Sequence, residues 1–254
     1  IHSNDIHGTF NPWRVKINHT KRFVGGMKAA SHYIRKIRAS EGHVLLIDTG
    51  DIMTGTLASH IEYKGVLGGA MIEFLNRLGY NLFSIGNHAF DKGQDNVLKY
   101  SQLANYPIIM ANIVYKESGE HFPLKPYHIF TVGGLKVGVI AVMEENFSSE
   151  VHNKKIRGLD ALPIVPTLNS YVPLLDRQTD LIVVCAHTRF KEGLRIAREI
   201  PGIDVVLVAS EDGRFQNVDG VLVKSTFGHQ KTLGSIKLEV EEDKVVSYEE
   251  KLIW

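Results

Sequence analysis

The chain holds one cysteine in 254 residues, no long run of lysine or arginine, and no apolar stretch close to the roughly 20 residues that a membrane-spanning helix needs. A lone Cys185 excludes a disulfide framework. Set inside the apolar run Leu181-Ile182-Val183-Val184-Cys185-Ala186, it reads as a buried inert thiol rather than a nucleophile. A formal net charge of +1 leaves no basic face for a nucleic-acid polymer or an anionic membrane surface, so neither partner is expected. The P-loop, the Gly-Xaa-Gly-Xaa-Xaa-Gly fingerprint, internal repeats and low-complexity tracts are also missing. No signal peptide is present, and the chain opens without Met inside what reads as a strand, which leaves the compartment open.

What remains is a chain of 44% apolar and 22% charged residues, enough to bury the core of one large α/β domain or two small ones. Its organisation turns on two segments. Val44-Leu45-Leu46-Ile47 runs into Asp48-Thr49-Gly50-Asp51, and Leu82-Phe83-Ser84-Ile85 runs into Gly86-Asn87-His88-Ala89-Phe90-Asp91. Each is a short buried strand that turns on a glycine into residues able to ligate or to carry a proton. The carboxyl ends of strands in open α/β sheets are where ligands bind, so an aspartate, an asparagine and a histidine converging there mark an active site.

In chain order, Asn4-Asp5-Ile6-His7-Gly8 leaves a first strand with Asp and His two apart, which in extended chain project to one side and could ligate one ion. Helical periodicity predicts helices over 25–39, 65–78 (closed by Gly79) and 91–104. Closely spaced strands follow at 108–110, 127–132 and 135–142, the last two joined by the Gly133-Gly134 hairpin signal. A linker punctuated by Pro163 and Pro166 leads to a helix near 168–177 and a strand over 181–186 ending at His187. A helix over 192–199 and a strand over 205–209 then end in Ser210-Glu211-Asp212-Gly213. The segments 221–224, 233–240 and 244–251 are expected as antiparallel edge strands.

Set side by side, the polar strand ends supply Asp5, His7, Asp51, Asn87, His88, His187 and Asp212. One carboxylate shared between two ions about 3.5–4 Å apart is the usual device for activating water and clamping phosphoryl oxygens, and Asp51 is the candidate bridge. The motifs Asn4-Asp5-Ile6-His7-Gly8, Asp48-Thr49-Gly50-Asp51, Gly86-Asn87-His88-Ala89-Phe90-Asp91 and Ala186-His187 resemble those of the calcineurin-like metallophosphoesterases. Within them the chain is most similar to the N-terminal catalytic domain of the 5′-nucleotidase branch, a likeness that continues through Ile200-Pro201-Gly202-Ile203-Asp204-Val205-Val206.

The resemblance implies a four-layer α/β/β/α sandwich of two mixed sheets flanked by helices, one domain over 1–254, and a pair of divalent metal ions. Asp5 and His7 would hold one ion, Asn87 and His187 the other, with Asp51 shared. His88 would be the catalytic histidine and Asp91 would orient its ring. It further implies a small phosphorylated substrate hydrolysed by metal-activated water, and a periplasmic or extracellular protein.

Two departures stand out. Where the family carries Gly-Gly-His-Xaa-His or Gly-Gly-His-Xaa-Gln, this chain has Val208-Ala209-Ser210-Glu211-Asp212, so Ser210 replaces a ligand of the second metal and Asp212 takes the following ligand position. An oxygen-rich set favours Mn or Mg over Zn and weakens the second site, unless Glu211 has taken the histidine's place. The chain also stops at Trp254, where family members often continue into a C-terminal domain that stacks the nucleotide base; that domain is expected to be absent. Two alternatives stay open: a hydrolase using the same centre on a sulfur ester, and a catalytically impaired binding or scaffold domain. The remaining histidines, among them His19, His32, His43, His60, His121, His128, His152 and His229, read as surface or satisfied core residues, and the sequons at Asn18 and Asn146 as chance. Arg189 and Arg214, each two residues beyond a site residue, could contact a phosphate or form surface ion pairs.

Overall fold

Four short segments, His2–Ser3, Ile47–Asp48, Leu82–Ser84 and Ile108–Ile109, lie parallel and side by side in the computed structural model, which describes residues 1–17, 19–151 and 156–254. The long hairpin Leu233–Glu241 and Lys244–Ile253 completes this first sheet, with Gly234 antiparallel to His2. A second six-stranded sheet runs in the order Phe215–Val218, Val221–Lys224, Val205–Val208, Leu181–His187, Leu135–Met143 and Tyr127–Val132.

The two sheets face each other across a shared core, and the alternation of one strand shows why. Leu181, Val183 and Cys185 point toward the first sheet and join a cluster containing Ile47, Leu82 and Phe83. Ile182, Val184 and Ala186 point the other way, onto Leu168 and Val172 of the helix Ile164–Asp176 and Phe190 and Ile196 of the helix Phe190–Glu199. A strand buried on both faces must be apolar throughout, which is why this segment reads as a continuous run. Each such side chain contributes roughly 1.5–3 kcal/mol by leaving water. The helices Gly26–Ser40 and Gly69–Leu78 bury Met27, Ala30, Ile34, Met71, Ile72 and Leu75 in the first sheet's core. Two large mixed sheets flanked by helices are thus the architecture, as the motifs implied. The buried Lys224 pairs with Glu250, tying the second sheet to the hairpin of the first.

Several local expectations need correcting. Val221–Lys224 is an interior strand, parallel to Val205–Val208, because Phe215–Val218 covers its outer side. Pro166 lies in the first turn of the helix Ile164–Asp176, where its missing N–H leaves no bond unmade. The helix predicted over 91–104 is split into a 3₁₀ segment, Asn87–Lys92, and the helix Gln94–Leu103, divided at Gly93, whose φ is 94°. The hairpin Trp13–Ile17 and Thr20–Val24 had no signal in the sequence. Asn18 and His152 lie outside the described residues.

Candidate metal centre

Every ligand predicted from the first sheet arrives at its parallel strand ends on loops that are stitched to one another. The Asp5 N–H donates to Gly50 O at 2.9 Å, His7 N–H to Asp51 O at 2.9 Å, and Gly8 N–H to Ile52 O at 3.0 Å. The zip holds Asp5 (φ 49°), His7 (φ 49°) and Asp51 (φ 58°) in the left-handed region, at a cost of order 1 kcal/mol or more for each non-glycine residue. Asp48 supports the turn from beneath, accepting Ser3 Oγ at 2.6 Å and Gly50 N–H at 3.0 Å, and its complete burial pushes the carboxyl up to about 8. Two glycines keep the space clear. A Cβ at Gly86 would sit 2.5 Å from His187 Cε1 and closer still to Asp51, and one at Gly50 would overlap the His187 ring.

The imidazoles are presented alike. His187 Nδ1 is bonded to Thr49 O at 3.0 Å, which turns Nε2 to Asp51 Oδ2 and Asn87 Oδ1, both at 3.1 Å. His7 Nδ1 is bonded to Met53 O at 3.0 Å, leaving Nε2 3.7 Å from Asp5 Oδ1. Tying Nδ1 to a carbonyl is how a protein fixes the tautomer and ring orientation of a histidine that ligates through Nε2. Asn4 plays the same part for Asp5, donating to Oδ2 at 2.6 Å while its own oxygen accepts Thr226 N–H and Oγ–H.

The electrostatics suit a cation. Burial pushes Asp5 up to about 6, against the lowering effect of the His187 charge. Burial works in the same direction on Asp51, but the charge and hydrogen bond of His187 outweigh it and hold this carboxyl below its usual range. Burial alone would lower His187; the Asp51 charge and hydrogen bond, with the Asp5 charge, instead raise it to about 10. A protonated imidazole thus offsets the buried carboxylates where a divalent ion would offset them better. Hard carboxylate and amide oxygens together with imidazole nitrogen form a donor set that fits Mn, Mg or Zn. Asp5, Asp51 and His187 present ligand atoms all within 4.8 Å of one another, and Asp5, His7 and Glu211 form a second such group.

His88 and Asp91 stand beside this cluster. His88 Nδ1 bonds Asp91 Oδ2 at 2.8 Å, an oxygen that also accepts Thr54 Oγ–H at 2.6 Å, and the His88 N–H donates to Asp51 Oδ1 at 2.9 Å. The bond to Asp91 raises the His88 ring above its ordinary range despite partial burial. Asp5, His7, Asp51, Asn87, His88 and His187 all line one cavity of about 320 Å³, together with Arg189, Ser210 and Glu211.

Asp212 is not brought into this cavity. Its carboxylate accepts Ser225 Oγ–H at 2.8 Å and pairs with Arg214. The Arg214 guanidinium, so engaged, lies over the Phe190 ring at 4.3 Å. Glu211 occupies the place expected of Asp212, and His229, read above as a bystander, stacks against His7 with ring centroids 5.0 Å apart. The overlooked signal is Gly228-His229-Gln230, a polar turn with two consecutive left-handed residues (φ 56° and 52°) just ahead of the strand Leu233–Glu241.

Comparison with known proteins places the chain in a family. The chain is 32% identical to the snake venom 5′-nucleotidase of Gloydius brevicauda and 28% identical to the NAD 5′-nucleotidase of Haemophilus influenzae, over 82% and 85% of its length. It spans only 35% and 36% of those relatives. A 5′-nucleotidase precursor from Thermus thermophilus superposes with a TM-score of 0.86 at 24% identity, covering 99% of this chain and 53% of that one, a likeness of fold. The profile of the calcineurin-like phosphoesterases matches residues 1–221, and the chain belongs to that family.

Proposed function

We propose that this chain is a divalent-metal-dependent hydrolase of small phosphate monoesters, nucleotides among them, with its site at the ends of the two facing sheets. The observation that carries the reading is the presentation of His187 Nε2 to Asp51 Oδ2 and Asn87 Oδ1 at 3.1 Å each, beside Asp5 and His7. When bound, a pair of divalent ions would supply Lewis-acid activation of water and of the phosphoryl oxygens. Asp5 and His7 would hold one ion, Asn87 and His187 the other, with Asp51 between them. With Ser210 standing where the family has a ligand histidine, the second site is the weaker, and its oxygen-rich set favours Mn or Mg over Zn.

The chain's own residues do the remaining work. His88, its Nδ1 held by Asp91, carries its proton on the ring nitrogen toward the cavity and donates it to the leaving oxygen or stabilises the charge that develops there. Asp91 favours the charged form of that ring and keeps it aimed. Arg189 lines the cavity and supplies a cation for a substrate phosphate, whereas Arg214 is bound to Asp212. Among the described residues no helix is long and apolar enough to cross a membrane.

Metal-reconstituted protein assayed on an aryl phosphate across Mn, Mg, Zn, Co and Ni, then on nucleoside monophosphates and on a sulfur ester, tests the reading. The expected result is chelator-sensitive release of phosphate, greatest with Mn or Mg. Protein that holds metal and releases neither phosphate nor a sulfur oxyanion would sink it in favour of a scaffold.

A further inference from the structure

Glu211 and Asp212 are adjacent carboxylates in the loop after the strand Val205–Val208, and the structure gives them opposite surroundings. Asp212 has its two oxygens taken up by Ser225 and Arg214. Glu211 faces the cavity and presents an oxygen within 4.8 Å of ligand atoms on both Asp5 and His7. Its position is built rather than incidental. The side chain lies across Gly228, where a Cβ would come within 2.6 Å of Glu211 Cγ and 2.7 Å of Oε1, so any larger residue there would displace it.

On the far side, Glu211 Oε1 lies 3.3 Å from His229 Nε2. His229 is anchored in turn through its main chain, whose N–H donates to Asp5 O at 2.6 Å and whose carbonyl accepts Trp13 Nε1–H at 2.8 Å, while its ring tilts 32° against His7 with centroids 5.0 Å apart. Glu211 is therefore clasped between a bare backbone and a fixed ring, with its carboxylate turned to the Asp5 and His7 pair. A surface glutamate with no role has no need of either support.

We propose that Glu211, not Asp212, is the carboxylate ligand that completes the Asp5–His7 metal site, and that Gly228 and His229 are the positioning residues that hold it there. The proposal rests on the reading of the cluster as a metal centre and adds the identity of its remaining ligand. With Asp5, Asp51 and Glu211 around a single imidazole, the first site becomes harder than its relatives' and draws Mn or Mg in preference to Zn. It also becomes the tighter of the two, because the loop that should serve both ions serves only one.

The test is a titration of metal-stripped protein with Co(II), followed by visible absorption, and with Mn(II), followed by paramagnetic resonance, neither of which depends on turnover. Glu211→Gln should weaken the tighter site about ten- to a hundredfold and alter the Co(II) spectrum, since it replaces a charged ligand by a neutral amide. Asp212→Asn should leave affinity and spectrum as in the wild type. His229→Ala should weaken the site roughly three- to tenfold, and His229→Gln, which keeps a side-chain N–H donor, should recover most of the loss. Glu211→Asp, one methylene shorter, is read in the same way if circular dichroism shows that Glu211→Gln does not fold. Unchanged affinity and spectrum in the Glu211 variant, or an equal loss in Asp212→Asn, overturns the proposal while the metal centre stands. A wild type that binds no metal overturns the centre itself, and the proposal with it.

Discussion

At the ends of the first sheet, Asp5, Asp51 and Asn87 are buried and His7 is half-buried, on loops joined by backbone hydrogen bonds and by the His88 N–H to Asp51 Oδ1, whereas across the cavity Glu211 and Asp212 sit on a partly exposed loop held by side-chain ion pairs. The first half has little freedom to exchange a residue: its backbone is left-handed at three ligands, and a Cβ at Gly50 or Gly86 would run into His187 or Asp51. The second half can trade one carboxylate for its neighbour because each finds a partner on the surface. Packing thus dictates which residue reaches the cavity on one side of the cradle, and side-chain pairing dictates it on the other.

The largest expected effect comes from within the rigid half. His88→Asn should lower turnover by about two to four orders of magnitude while leaving metal content near that of the wild type, because Asn87 and Asp51 keep their places and only the proton donor is gone. Elemental analysis alongside initial rates checks it; a variant that loses metal in step with activity would assign His88 to ligation instead. Next in size, Gly86→Ala should push Asp51 and His187 apart and weaken metal binding by about tenfold or more, with a modest fall in melting temperature. Calorimetric titration reads this directly, and unchanged affinity would show the rigid half to be softer than described.

The smallest effect lies behind the adaptable half. Partial burial pushes Asp204 up to about 6, against a hydrogen bond from the Ile182 N–H at 2.7 Å. The folded carboxyl therefore keeps its proton at pH values where the unfolded chain has already lost it, so stability falls as pH rises from about 4 to 6 and stays lowered above. Asp204→Asn keeps an acceptor for Ile182 without the charge. It should melt about 2–4 °C higher than the wild type at pH 7.5 and level with it at pH 4. An equal difference at both values would remove ionisation as the cause.

The same contrast governs how much could be read from the sequence. The buried strand ends announced themselves because Asp48-Thr49-Gly50-Asp51 and Gly86-Asn87-His88 follow runs buried on both faces, so that the order of residues dictates which of them reaches the cavity. Glu211 was legible only as an alternative for the lost histidine, because its orientation is decided by Gly228, His229 and the competing claim of Arg214 and Ser225 on Asp212. None of these contacts is visible in a local motif. The hairpin Trp13–Ile17 and Thr20–Val24 escaped notice for a related reason: Thr20, Lys21, Arg22 and Phe23 are all exposed, and a strand without a buried face shows no alternation.

Asp51 stands where the two halves meet, and the account depends most on the metal it helps to hold. Aryl-phosphate turnover should therefore be followed as Mn is added back to metal-stripped protein, with bound metal counted in parallel, for the wild type and Asp51→Asn. No turnover is expected before metal is added. Turnover should rise as a second, weaker equivalent binds in roughly the millimolar range, with Asp51→Asn remaining inactive and poorly loaded. Full turnover by stripped protein, or an Asp51→Asn variant that loads and turns over like the wild type, would contradict it.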